Sequence, residues 1–329
     1  MPTHASPQPK SQTATAPLAG SPHIVIVGAG AMGSYFGGML IDAGQRVSLI
    51  DVNPAQIETI NQRGLILETD DGRRELSAKA ALAQDVTEAA DLVILLTKTL
   101  HTEAAMASIS HLLTPSSVIL SLQNGLGNAE RIQKFHDRSR IAVGTTLVPA
   151  DLQGPGHVVS HGPSSSRMMD VNTQCPTWME NLAVLFNDAG LRTELDRDIH
   201  SVIWSKVAFN AALNAVCAVT GSTPGPISQV EEALTLVRNM VRETVLAGSA
   251  HGVALDEKHI WHNVEMALHE QPNHKPSMLQ DIEHGRTTEI DAINGAIVDA
   301  ALQAGLEAPV NQTLLQLVKL KQFLTLECA

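Results

Sequence analysis

The sequence predicts an α/β domain built on a parallel, doubly wound sheet, followed by an all-α domain. Three observations carry that prediction. A short β-branched run, His23 to Val27, leads at once into Gly28-Ala29-Gly30-Ala31-Met32-Gly33 and then a helix-like stretch closed by Gly44. Continuous apolar runs recur at Leu92 to Leu96 and Ser117 to Leu122, as in strands covered on both faces. After Asp196 strand-like runs stop, and long Ala/Leu/Val-rich segments with helical periodicity take over.

The bulk properties fit this division. The chain has 329 residues, enough for two domains of ordinary size. Hydrophobic residues make up 44% and charged residues 17%, the balance of a globular protein. A net charge of -12 argues against nonspecific binding to nucleic acid or an anionic membrane, while leaving room for a locally basic pocket. Cys175, Cys217 and Cys328 are odd in number and far apart, so they read as free structural thiols in a reducing cytoplasm. The 14 histidines show no metal-ligand spacing; they read as mostly surface residues, and no metal is expected. Residues 1–22 are rich in Pro, Ser, Thr, Ala and Gln and read as a disordered tail. No later stretch reads as apolar and long enough to span a bilayer.

From residue 23 the elements follow in order. In the glycine-rich turn, Gly28 permits the tight bend, Gly30 lets backbone approach a pyrophosphate, and Gly33 lets helix and strand pack closely. The amides around Ala29, Ala31 and Met32 then lie at a helix start, where an anion is favoured. Arg46 to Ile50 is a second strand, and Asp51 closes it 18 residues beyond Gly33. Strand, G-x-G-x-x-G, helix, strand and acid together make a Rossmann-type dinucleotide-binding unit. Asp51 suits a ribose 2'-hydroxyl and repels a 2'-phosphate, which favours NAD over NADP. It also suits a cap on the following turn, Asn53-Pro54.

Residues 64–68 and 74–78 read as a β excursion around Asp70-Asp71-Gly72. Leu92 to Leu96 ends in Thr97-Lys98, and ligands of open α/β sheets sit outside the carboxyl ends of strands. Lys98 therefore reads either as a residue beside the cofactor or as a solvated loop lysine. Ser117 to Leu122 is capped by Gln123-Asn124-Gly125-Leu126-Gly127, where Asn124 faces cofactor or substrate or simply makes a turn. Ile141 to Val148 and His157 to His161 read as strands extending or edging the sheet. The first domain is placed at residues 23–197 and the helical domain at 198–329.

In the second half, helices are expected at residues 201–219, 230–248, 256–269, 287–304 and 311–326. The segment Ser222 to Gly225 and the turn before Pro272 read as breaks. Residues 203–216 are apolar nearly all round, as in a core helix. Yet Lys206, Asn210 and Asn214 recur every fourth residue and form one drifting line on a single face. A lysine in such a helix needs a partner or a polar cavity. The line reads as a polar rail in an apolar wall, or else as the wet face of a half-exposed helix. Pro276 and Ser277 suit the first turn of a helix. Glu289 and Asp291 lie in a run that otherwise faces the core, and each also suits an ordinary helix-N-terminal carboxylate.

Taken together and in order, these stretches are similar to those of the ketopantoate reductases (2-dehydropantoate 2-reductases). They are the GAGAMG turn, the Lys98 strand end, QNGLG, K-x-x-x-N-x-x-x-N, SMLQD and TEIDAING, from His23 to about Leu320. The resemblance implies a Rossmann domain followed by a helical one, in a 6-phosphogluconate-dehydrogenase-like arrangement, with the active site between them. It implies that Lys206 is the general acid and Glu289 the carboxylate that binds and positions the substrate hydroxyl. Asn210, Asn214 and Ser277 become substrate contacts, and Lys98 and Asn124 lie where cofactor and substrate meet. The reaction implied is hydride transfer between a nicotinamide cofactor and a 2-oxo or 2-hydroxy acid.

Two departures bear on the substrate and cofactor. Asp51 stands where the pantoate-making enzymes commonly carry a base, and Pro224 where some place an asparagine. The leading expectation is therefore an NAD-linked enzyme on a small 2-oxo/2-hydroxy acid. The alternatives are an NADPH-dependent 2-dehydropantoate 2-reductase of pantothenate synthesis and a noncatalytic dinucleotide sensor. A homodimer through the Ala/Leu-rich C-terminal helices is a further expectation.

Overall fold

The computed structural model of the protein describes Leu18 and residues 20–327. Of the expected tail, residues 1–17 and 19 lie outside the described residues. Leu18 and Pro22 are buried, and Leu18 packs into the core.

The first half alternates strands and helices: β1 (His23–Val27), α1 (Ala31–Asp42), β2 (Arg46–Ile50), α2 (Pro54–Arg63), β3 (Leu65–Thr69), β4 (Gly72–Leu76) and β5 (Ala80–Ala81). After these come β6 (Leu92–Leu95), α3 (Thr102–Ser108), β7 (Val118–Ser121), α4 (Asn128–Ile132) and β8 (Ile141–Leu147). The half closes with β9 (Ala150–Gly154), β10 (His157–Ser160), β11 (Ser165–Asp170), α5 (Thr177–Asp188) and β12 (Thr193–Leu195).

Eight strands form the main sheet in the order β12-β11-β8-β7-β6-β1-β2-β5. All neighbours are parallel except β8 and β11. The order reverses at β1: the chain runs outward to β2, then returns to β6 on the other side. The carboxyl ends of β1 and β6 thus frame the switch point, where ligands bind in such sheets. Along β1, Ile24 and Ile26 face one apolar layer with Phe36, Leu40 and Phe186, while Val25 and Val27 face the other with Met106 and Ile132. This two-sided burial is why the strands lack polar alternation.

One expectation is corrected. His157–Ser160 does not edge the main sheet; β10 pairs in parallel with β3, in a separate four-stranded sheet ordered β4-β3-β10-β9. That sheet packs on α1, so one helix is clasped between two sheets. Helix α5 buries Trp178, Met179, Leu182 and Phe186 against the main sheet's core.

The second half is helical: α6 (Ile199–Thr220), α7 (Pro224–Ile227), α8 (Glu231–Ala250), α9 (Glu257–Glu270), α10 (Ser277–Glu283), α11 (Ala296–Gln303) and α12 (Pro309–Glu327). The expected helix over residues 287–304 is interrupted. Residues 286–288 are irregular, and Asp291–Gly295 forms a π-helical turn before α11. The expected break at Ser222 to Gly225 holds the start of the single turn α7.

Helix α6 runs through the middle of the second half, against α8, α9, α10 and α12. Its alanines 208, 211, 212, 215 and 218 are buried and let those neighbours approach closely. With 22 residues and a mean hydropathy of 1.5 it meets the length and composition of a membrane span, contrary to the sequence reading; here it is a core helix. Cys217 on it is buried, and burial pushes its thiol up to about 12, so it stays an unreactive packing group. Cys175 is likewise free, and Cys328 lies outside the described residues. His23 is an exception to the surface reading of the histidines: it is buried, bonded to Ala89 O and Ser48 Oγ.

Candidate active site

The glycine-rich turn is built as its spacing requires. Gly28 has a φ of +97°, and a Cβ there would lie 2.8 Å from Thr97 N, so β1 and β6 meet at this residue. A Cβ on Gly33 would lie 1.8 Å from Gly28 O. A Cβ on Gly30, by contrast, meets no protein atom within 4 Å. Gly30 is the N-cap of the 12-residue α1, and no side chain caps that helix start. An open space beside uncapped amides fits a pyrophosphate.

Asp51 serves two turns at once. Its Oδ2 accepts from Ala29 N at 2.7 Å and its Oδ1 from Asn53 N at 2.8 Å. The cap on the following turn and a role at the glycine-rich turn are therefore not exclusive. Each oxygen keeps a further lone pair, enough to accept from a ribose hydroxyl.

The expected polar rail lies on α6 with Lys206 and Asn210 half-buried and Asn214 buried. Lys206 Nζ donates to Thr146 O of β8 at 2.8 Å, tying the two halves of the chain together. Burial pulls its pKa down to about 8, against an opposing pull from Glu289 nearby. Among the described residues, no hydrogen-bond partner engages the side chains of Asn210, Asn214 or Ser277, which leaves their polar atoms free for another molecule. Ser277 opens α10, which packs on α6, and is exposed.

Glu289 lies in the irregular segment ahead of the π-helical turn, not in a helix first turn as one sequence reading had it. Its Oε1 accepts from Thr99 N at 3.1 Å and its Oε2 from Asn124 Nδ2 at 3.2 Å. Burial pushes its pKa up, opposed by those two donors and by the charge of Lys98; Asp281 adds a further upward push. Asn124 thus turns its amide to Glu289, while its carbonyl accepts from Thr99 Oγ1 at 2.6 Å.

Lys98 is no solvated loop lysine. Its Nζ pairs with Asp281 Oδ2 of α10 at 2.7 Å and donates to Thr287 O at 2.6 Å. Asp281 also pairs with Arg286 at 3.0 Å. The Gly125 turn closes the same seam. Leu126 N donates to Ala292 O at 2.9 Å. At Gly125, where φ is +83°, a Cβ would lie 2.5 Å from that same carbonyl. The glycine of QNGLG is demanded by a backbone approach across the cleft.

The structure therefore brings Lys98, Asn124 and Glu289 into one contact network beside the β6 and β7 ends, with Lys206 close enough to feel Glu289. The sequence reading did not single out Thr99 N, Thr146 O or Thr287 O, because backbone groups leave no sequence signal. Asp281 left one: it is the acid within the otherwise apolar Met278, Leu279, Ile282 face. Among the described residues, no cluster of His, Cys, Asp or Glu is arranged to hold a metal. A separate cavity of about 430 Å³ lies against another face of α6, lined by Gln123, Leu126, His200, Trp204 and Asp299; neither Lys206 nor Glu289 lines it.

Comparison with known proteins matches both halves of the chain to one family. Residues 24–172 match the model "Ketopantoate reductase PanE/ApbA" and residues 198–322 its C-terminal counterpart. A 2-dehydropantoate 2-reductase of Pyrococcus horikoshii is 35% identical over 302 residues, 92% of this chain and 98% of that protein. One from Streptococcus pyogenes serotype M18 is 32% identical over 302 residues, 91% of this chain and 97% of that protein. Among solved structures, D-mandelate dehydrogenase with NADH and anilino(oxo)acetate superimposes with a TM-score of 0.88 at 30% identity, covering 92% of this chain and 99% of that one. A PanE/ApbA family ketopantoate reductase from Ralstonia eutropha gives 0.86 at 30% identity, with the same coverage. With both halves matched and the sheet, the α6 line and the Glu289 segment in place, the chain belongs to the ketopantoate reductase family.

Proposed function

We propose that the protein interconverts a 2-oxo acid and its 2-hydroxy acid with a nicotinamide cofactor, preferring NAD. The single observation that carries this reading is Lys206: the one charged residue in the interior of α6, tied to Thr146 O and within reach of the charge of Glu289. In this reading residues 23–197 hold the dinucleotide and residues 198–329 hold the substrate. Gly28 to Gly33 cradle the pyrophosphate, Asp51 takes the ribose, and Lys98 and Asn124 flank the place where cofactor and substrate meet.

Bound at that place, the reduced nicotinamide supplies a hydride to the C2 carbonyl carbon. Lys206 donates its proton to the oxygen as negative charge builds there, and takes it back in the oxidation. A pKa of about 8 leaves the ammonium populated at neutral pH while making proton release easy. Glu289, held by Thr99 N and Asn124, accepts from the substrate hydroxyl and fixes its direction. Asn210, Asn214 and Ser277, free of protein partners, bind the carboxylate and the remaining polar groups.

The NAD preference rests on Asp51, whose charge repels a 2'-phosphate. Support also comes from the likeness to a mandelate dehydrogenase that binds NADH. Pro224, buried in α7, offers no amide to a pantoate-type hydroxyl, which favours a branched or aromatic 2-oxo acid over ketopantoate. The protein acts in the cytoplasm. A homodimer is favoured by the exposed Leu317, Leu320 and Leu324, a stripe at coiled-coil spacing along α12; sedimentation at micromolar concentration tests it.

The primary experiment is reduction of ketopantoate and of branched and aromatic 2-oxo acids with NADH and NADPH side by side, for the protein and for Lys206→Ala. Faster turnover with NADH and a non-pantoate acid is expected. Lys206→Ala is expected to lose at least about 1,000-fold in turnover while keeping dinucleotide affinity. Clear preference for NADPH and ketopantoate would establish the biosynthetic alternative. Undiminished turnover in Lys206→Ala would remove the mechanism.

A further inference from the structure

Glu289 belongs to no α-helix; its carbonyl accepts from Ala292 N at 3.0 Å and Ile293 N at 3.1 Å, while its carboxyl is bonded from other segments by Thr99 N and Asn124. Helix α12 grips the residues on either side of Glu289. Gln322 Oε1 accepts from both Thr288 N at 2.7 Å and Thr288 Oγ1 at 2.9 Å, and Thr288 is only 3% exposed. Eleven residues earlier, Asn311 Oδ1 accepts from Asn294 Nδ2 at 3.0 Å, with both asparagines 0% exposed. Asn311 is itself held by Glu243, which accepts from its amide nitrogen at 2.9 Å and its Nδ2 at 2.8 Å. Lys319 adds an exposed ion pair to Asp291.

Eleven residues are about three helical turns, so Asn311 and Gln322 share one face of α12. That face also carries the buried Leu314 and Val318. Amides inside such a face are unfavourable unless bonded. Here they grip the residue just before Glu289 and the π-helical turn just after it. The far side of that turn receives Leu126 N from the other half of the chain. Glu289 thus lies between two anchored points, and single π-helical turns are frequent at functional sites.

We propose that Gln322 is a positioning residue for the reaction: through Thr288 it sets the Glu289 carboxyl against Thr99 N and Asn124. The proposal rests on the reading of Glu289 as the carboxylate that holds the substrate hydroxyl. Among the described residues Gln322 Nε2 has no hydrogen-bond partner, so Gln322→Glu keeps both acceptor contacts and loses none. Gln322→Leu keeps the bulk and loses both.

The test compares Gln322→Leu, Gln322→Glu, Glu289→Gln and the double variant Gln322→Leu/Glu289→Gln on the fastest 2-oxo acid of the panel, with NADH affinity measured by fluorescence. Displacement of a reacting group by about 1 Å lowers rates by about 100-fold. Gln322→Leu should therefore lose about 10- to 100-fold in kcat/KM at unchanged NADH affinity, and Gln322→Glu should stay within about threefold. The double variant should be no slower than Glu289→Gln alone, since the two act through one carboxylate. Wild-type rates in Gln322→Leu, equal losses in Gln322→Glu, or multiplied losses in the double variant would overturn the proposal. Full activity in Glu289→Gln would remove the Glu289 reading itself, and a loss in Gln322→Leu beside it would show that Gln322 acts elsewhere. Should Gln322→Leu not fold, Thr288→Val removes one of the two donors; a loss of about 3- to 10-fold is expected, and none would overturn the proposal.

Discussion

Replacing Lys206 by methionine should destroy activity and stabilise the protein. The ordinary lysine value of 10.5 falls to about 8 on burial in the folded chain. At about 1.4 kcal/mol for each tenfold change in proton affinity, the folded state carries a burden of about 3 kcal/mol whenever the ammonium is charged. The sign follows from linkage. Between pH 8 and 10.5 the unfolded chain holds the proton and the folded chain does not, so stability rises with pH across that window. Below pH 8 both states hold it and the full burden persists. Methionine fills similar space with no charge to bury, but it abandons Thr146 O, a loss of about 1 kcal/mol. The net gain expected for Lys206→Met is about 1 to 2 kcal/mol at pH 7, shrinking to nothing or reversing by pH 10. Urea denaturation of both proteins at pH 7 and pH 10, with and without saturating NADH, measures it. A variant less stable than the parent at pH 7, or a difference that ignores pH, would refute the argument that Lys206 is held charged against its surroundings.

Two further outcomes follow from the same geometry. The reduction needs the Lys206 ammonium, so its kcat should fall as pH rises through about 8, while the oxidation should gain over the same range; a profile flat from pH 6.5 to 9.5 in both directions would contradict this. At the glycine-rich turn, Gly30→Ala adds a methyl to open space, so thermal stability should hold while dinucleotide affinity drops by at least about tenfold. Gly33→Ala drives its Cβ into Gly28 O and should lower both; equal behaviour of the two variants in calorimetry and NADH titration would argue against a pyrophosphate at Gly30.

Much of the candidate site was legible because its chemistry conflicts with local pattern. Lys206 stands out in an apolar helix, and Gly28 to Gly33 sit between strand and helix at a fixed spacing. Glu289 was legible only through resemblance; from periodicity alone it passed for a helix-start acid, since the π-helical turn that follows it has no sequence signature. The partners that aim these groups were hidden for different reasons. Thr99 N and Thr146 O are backbone atoms, present in every residue. Gln322 lies 33 residues from Glu289 and reads as an ordinary polar position on a C-terminal helix. Strand β10 was misplaced for a related reason: the β-branched Val158-Val159 says that His157–Ser160 is a strand but not which sheet it joins.

The four-residue spacing along α6 also sets a scale of length. Each step from Lys206 to Asn210 to Asn214 advances about 6 Å along the axis, so the rail is about 12 Å long. A helix packed on four neighbours cannot stretch or bend to suit a guest. Under the proposed function it works as a ruler: a short oxo acid that reaches the ammonium leaves the far amide unanswered, whereas a longer one finds a polar contact at each graduation. On that proposal, substrate choice in this protein is first a matter of measurement, decided by how many marks a molecule spans, and only second a matter of the apolar walls beside them.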